Sequence, residues 1–178
     1  MQFWLIFFTI LALVFAQIAV HELGHYLAGL TAGIPSDKMK IRLFTFPQHV
    51  ALRDCDAWIS PVADIEHHIN VSRRYISTRG AAFCWVAGGL VVGTTFTTIV
   101  CVTAFLFGWT LIAFWIAAIS LSMYLVNVLV MDIPRALIQG HSVGDTSGLW
   151  TIAKIPTASL TILILSLHIF LIWLSKPQ

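Results

Sequence analysis

The chain has 178 residues, of which 58% are hydrophobic and only 10% charged, and its mean hydropathy is +0.89. Soluble domains carry about 25% charged residues, so the composition excludes an ordinary soluble domain and indicates a membrane protein. The net charge of +2 leaves no electrostatic footprint for nucleic acid, and three cysteines without CxxC spacing exclude a disulfide framework or thiolate metal site.

Residues 3–20 are uncharged, and the helical pattern continues to about Gly33. A secretory signal peptide would show a basic leader and a shorter apolar core, so we expect a retained first span over about 3–32. At ~1.5 Å per residue this helix exceeds the ~30 Å hydrocarbon core and must tilt or project beyond it. Its C-terminal half carries His21-Glu22-Leu23-Gly24-His25. On a helix the two histidines share one face a turn apart, where two imidazoles can grip one metal ion, with Glu22 beside them as a base for water. An ionisable group inside a span costs about 2.5–3.5 kcal/mol on insertion scales, and such groups mark functional cavities.

Gly33-Ile34-Pro35-Ser36-Asp37 ends the helix by glycine freedom, a fixed φ and turn-forming side chains. Alternation over Lys40–Phe46 and His49–Arg53 predicts a short membrane-associated β-hairpin between helices 1 and 2, the alternative being an interfacial loop with its aromatics among headgroups. The polar stretch from Asp54 to Gly80 includes His67-His68, whose adjacent side chains diverge on any regular backbone; we read them as surface or headgroup contacts. Further spans are expected over about 81–107 and 110–131, separated by a turn at Gly108-Trp109, with Asp132 and Pro134 ending the third helix. A polar connection over 132–156 bends at Gly140 and Gly144, and a last span covers about 157–174.

The expected fold is therefore an all-α polytopic membrane protein, a single membrane-embedded domain over 1–178 with four transmembrane helices. Seven of the ten Lys and Arg residues and five of the eight acids fall between positions 37 and 79. With Arg135 and Lys154 on the same face and no basic residue in the Gly108 turn, the positive-inside rule makes the first and third loops cytoplasmic. The His21–His25 end of helix 1 then opens toward the cytoplasm.

Two histidines leave a tetrahedral zinc site one protein ligand short before water fills the open position. The candidates are Asp145, in a glycine-flanked turn on the same membrane face, Asp132, His141 and the mid-span His168. Asp132 also reads as a helix-end acid paired with Arg135, and His168 as a buried hydrogen-bonding residue.

A first-helix HELGH, the glycine pair Gly88-Gly89 entering the next core helix, and an Asn/Pro segment leading to an Asp in a glycine-containing turn together resemble the site-2 protease family of intramembrane zinc metalloproteases. The resemblance implies Zn²⁺ held by His21, His25 and Asp145, Glu22 as general base, and Asn127 as a contact for the substrate backbone or oxyanion. It further implies cleavage of a peptide bond in or near a transmembrane segment of a membrane-anchored protein, in a cell membrane such as the bacterial inner membrane. Substrate selection would fall to the helices, the hairpin or a regulatory membrane partner. This chain departs from the family pattern in reading Gly144-Asp145-Thr146 where an Asp-Gly pair is usual, and Gly89-Leu90-Val91-Val92-Gly93 at the second core helix. Those departures support the alternative of a non-catalytic membrane zinc-binding or scaffold protein. A metal transporter would need polar residues along several spans, which this sequence lacks.

Overall fold

The computed structural model describes residues 2–142 and 144–176. Its elements in order are α1 (Gln2–Thr31), strands β1 (Met39–Arg42), β2 (His49–Asp54) and β3 (Ala57–Ile59), then α2 (Ile65–Ser72) and α3 (Arg79–Leu106). They are followed by α4 (Thr110–Val126), a π-helical segment (Asn127–Asp132), α5 (Ile133–Gln139), α6 (Asp145–Ile152) and α7 (Lys154–Leu174). Four helical stretches, Phe7–Thr31, Arg79–Leu106, Thr110–Gln139 and Lys154–Leu174, are long and apolar enough to cross a membrane.

The first helix stops where the sequence requires. Gly33 adopts φ 101°, a conformation that costs glycine little, and the Ile34 amide donates back to the Gly29 carbonyl at 2.9 Å. This satisfies an end carbonyl as a Schellman-type cap does. The chain then enters an antiparallel sheet of order β1-β2-β3, with Met39 opposite Leu52 and Leu52 opposite Ile59. The expected hairpin is present, and β3 is an addition to it. Ala57–Ile59 is too short for a period-2 pattern to register, and its pairing with β2 is a tertiary outcome.

Phe44 and Phe46 at the hairpin tip are 95% and 84% exposed, and the Phe44 ring lies 6.1 Å from that of Phe15. Phe15 precedes His21 by six residues, or roughly 9 Å along the helix axis. The loop therefore folds back along α1 past the level of His21.

Two readings of the loop region need correction. His68 is not a surface or headgroup contact: it is buried, stacks on Trp85 with ring centroids 5.7 Å apart, and bonds to the Val50 carbonyl at 3.2 Å. It sits on α2, a helix whose first turn is capped by Asp64 accepting from the His67 amide. Helix α2 thereby closes over β2, and together with Ile34, Met39, Leu52 and Val71 they form a core below the bundle. Second, the third long helix does not end near Met131. Pro134 has no N–H to donate and clashes with the carbonyl four residues back in an α-helix. The chain widens ahead of it, the Ile133 amide donating to Val128 five residues back, and the helix runs on to Gln139.

Within the bundle α1 packs on α3, α3 on α4 and α7, and α4 on α7. Helices that lie in lipid gain little from burying apolar surface against one another, and close packing of small residues and interhelical hydrogen bonds are what hold such bundles together. Both are present. A Cβ at Gly88 would lie 2.6 Å from the Gly24 carbonyl oxygen and 2.5 Å from the Ala28 methyl, so α1 and α3 touch backbone to backbone. Deeper in the bundle Thr97, Ser120 and His168 join α3, α4 and α7 by two 3.0 Å contacts. His168 Nδ1–H donates to the Ile164 carbonyl, leaving Nε2 to accept from Ser120.

Burial lowers the pKa of His68 to about 4. The unfolded imidazole, near 6.5, binds its proton first as pH falls, so between those values acid favours loss of the buried state. The His68 contribution is intact above pH 6.5 and is lost on approach to pH 4, on the order of 3 kcal/mol at most by linkage. Hydrogen exchange of the Val50–Leu52 amides, corrected for intrinsic rate, is expected to accelerate over that window in the wild type and much less in His68→Gln. Equal pH slopes would contradict this role.

Candidate metal centre

The close approach of α1 and α3 builds the site. His21 and His25 project from one face of α1 onto α3 at Gly89, where an added Cβ would lie 2.7 Å from His21 Nε2 and closer still to His25 Nε2. Glycine at 89 is thus the space that the imidazoles occupy. His25 Nδ1–H donates to the Trp85 carbonyl at 3.2 Å, which orients the ring and turns Nε2 inward. Such outer partners fix the tautomer of ligating histidines.

Asp145, at the start of α6, completes a triangle. Its Oδ2 lies 2.8 Å from His21 Nε2 and 3.2 Å from His25 Nε2, and the two nitrogens are 3.1 Å apart. With His25 Nδ1–H engaged, the neutral His25 ring presents a lone pair here, facing a carboxylate oxygen and a second imidazole nitrogen. Three such atoms at close range can be shared by one cation. Zinc–ligand bonds of ~2.0–2.2 Å would set tetrahedral edges of about 3.3–3.6 Å, so the triangle, with sides of 2.8–3.2 Å, would have to open by only a few tenths of an ångström. His21, His25 and Asp145 could therefore hold a metal ion.

Glu22 lies one residue from His21, is 6% exposed, and lines a cavity of about 1330 Å³ that also reaches the three metal-site residues. The hairpin contributes Phe46 and His49 to its wall, and the π-helical segment contributes Asn127 and Asp132. Residues five apart stack along a π-turn as residues four apart do along an α-helix, so the widened turn brings both residues to the cavity wall.

Among the four candidates for third ligand, the structure brings Asp145 to the histidines. Asp132 is buried and accepts from the Ser147 amide at 2.9 Å; among the described residues it forms no ion pair with Arg135, contrary to the expected helix-end pairing. His141 is exposed and contacts the Gln139 carbonyl, and His168 is committed to the Ser120 contact. Asn127 is exposed on the cavity wall. Sequence reasoning missed Gly89 as a steric requirement, the Trp85 carbonyl and the Asp132 contact. Only the first had a signal, a glycine pair in a helix otherwise free to carry larger side chains.

At the end of β2 Asp54 receives Arg74 Nη1 at 2.6 Å and His67 Nε2 at 2.8 Å. These donors hold its carboxyl down to about 2 and tie the end of β2 to α2, away from the cavity.

Compared with known proteins, the chain matches no family model, no curated protein and no solved structure.

The steric reading separates two glycines. Gly89→Ala is expected to leave the helical bundle formed while weakening any divalent metal binding at this site by ~10–100-fold, the range for disturbed metal surroundings. Gly24→Ala, whose Cβ would meet backbone rather than imidazole tips, is expected to disrupt packing itself and lower the thermal midpoint in detergent. Circular dichroism with a competitive metal titration distinguishes them.

Proposed function

We propose that this chain is an intramembrane zinc endopeptidase that hydrolyses a peptide bond in or near a transmembrane segment of a membrane-anchored substrate, on the side of the bilayer carrying the basic loops. The observation that carries the reading is the convergence of His21, His25 and Asp145 on one point beside the buried carboxylate of Glu22, at the wall of a large cavity within a four-helix bundle. A structural role for this polar group would need no such convergence, since interhelical hydrogen bonds satisfy single polar residues at far less cost.

A zinc ion held by these three residues would supply a Lewis acid that polarises the scissile carbonyl and acidifies water toward neutrality. Glu22, sheltered from bulk solvent, would accept a proton from the attacking water as its oxygen bonds to the carbonyl carbon. It would return that proton to the amide nitrogen as the carbon–nitrogen bond breaks. Asn127 offers both a donor and an acceptor to substrate backbone groups exposed when a helical segment unwinds. The open edge of β1 adds a row of backbone groups to which such an unwound strand can pair. By the positive-inside rule the basic sheet and α2 lie on the cytoplasmic side, and a cell membrane, such as the bacterial inner membrane, is the proposed location.

The test uses purified protein in detergent with a model transmembrane substrate. Glu22→Gln is expected to keep its zinc and lose cleavage by a factor of ~10²–10⁴, the usual contribution of a general base. Equal cleavage by wild type and variant ends the protease reading. Zinc bound with no cleavage by either leaves the alternative of a non-catalytic membrane zinc-binding protein.

A further inference from the structure

We infer that Asp132 is the positioning residue for the third ligand: its carboxylate caps α6 from outside that helix and so fixes Asp145 at the metal. The inference rests on the metal-centre reading above and adds a residue to which neither the HELGH motif nor the turn at Asp145 points.

The start of α6 has an unusual need. Gly144 stands at the capping position and has no side chain to accept from the first amides of the helix, where Ser, Thr, Asp or Asn normally does so. Gly140, with φ 71°, and Gly144 flank the loop that leads in, so the connection alone holds Asp145 weakly. Asp132 fills the gap from the π-helical segment, its Oδ2 accepting from the Ser147 amide, the third of the helix, at 2.9 Å. A carboxylate at this end also complements the helix dipole. Ser147 Oγ closes the turn locally by accepting from the Gly144 amide at 3.2 Å.

The absence of a side chain at 144 is what admits the carboxylate. Gly144 has φ −147°, an extended conformation open to any residue, so its backbone does not demand glycine. A Cβ there would lie 2.7 Å from Asp132 Cγ and 3.0 Å from each carboxylate oxygen. Glycine at 144 and aspartate at 132 are thus two halves of one contact. Asp132 Oδ1 is sealed from solvent and has no hydrogen-bond partner among the described residues, and the fold tolerates this unsatisfied atom to place the other oxygen. The carboxylate is thereby spent on α6. The rod from α4 through the π-turn to α5 carries Asp132, α6 carries Asp145, and the Asp132–Ser147 hydrogen bond joins them at the metal-site end, beside the apolar cluster of Leu149 with Tyr124 and Val128.

The test is zinc affinity, measured by competition titration in detergent, alongside the thermal midpoint of the metal-free protein. Asp132→Ala and Gly144→Ala are each expected to weaken zinc by ~10–100-fold, as losing an outer-shell support does, with the metal-free midpoint little changed. Asp132→Asn keeps an oxygen for the Ser147 amide and is expected to bind within about threefold of wild type. Wild-type affinity in both Asp132→Ala and Gly144→Ala overturns the inference, as does Asp132→Asn binding as weakly as Asp132→Ala, which would make Asp132 itself a ligand. Asp145→Ala serves as the reference: wild-type affinity there instead overturns the metal-centre reading.

Discussion

The contact on which the rest depends is backbone against backbone, Gly24 of α1 on Gly88 of α3. Every other feature of the site is measured from it. At that separation the next residue of α3 must also lack a side chain, because Gly89 faces the two imidazoles; and the Trp85 carbonyl, one turn earlier, comes within reach of His25. A helix pair held at ordinary side-chain distance would leave the histidines without their orienting partner. In a bilayer such an approach is favoured, since small residues gain dispersion contacts that lipid tails offer less well.

The second half of the site arrives from the C-terminal half of the chain. Asp145 sits at the tip of a short helix that packs on α3 and α7, and the helix is held at its start by Asp132. The π-turn explains how one rod provides both Asn127 and Asp132 to the same cavity, and Pro134 explains why the π-turn lies there. A single sequence feature at the end of α4 therefore shapes the cavity wall and places Asp132 against the start of the helix that carries Asp145. The sheet and α2 form a separate small core, tied by His68 and Trp85 to α3, from which the hairpin reaches back along α1.

Much of this was legible in the sequence. The i, i+4 histidines defined a face as soon as α1 was recognised, and four uncharged runs marked the spans, because both signals are local and periodic. Asp145 was legible only as one of four candidates, since the choice depends on how a glycine-bent loop returns to α1. The continuation of the third helix was hidden by Pro134, which terminates an α-helix but not one that widens first. His68 looked like a surface residue because its neighbours are polar, whereas its burial follows from α2 docking on β2. Asp132 appeared to have Arg135 as its natural partner, three residues on. The amide that it meets belongs to Ser147, on a helix whose position no local pattern encodes.

The central claim, that two imidazoles and one carboxylate of this chain meet at a single metal, is tested most directly by X-ray absorption at the zinc edge of the loaded wild-type protein and Asp145→Ala. The expected wild-type spectrum is a four-coordinate ion with two imidazoles and oxygen ligands at about 2.0–2.2 Å, one oxygen being lost or replaced by solvent when Asp145 is removed. A spectrum dominated by six oxygen ligands, or one with two imidazoles missing in the wild type, would contradict it.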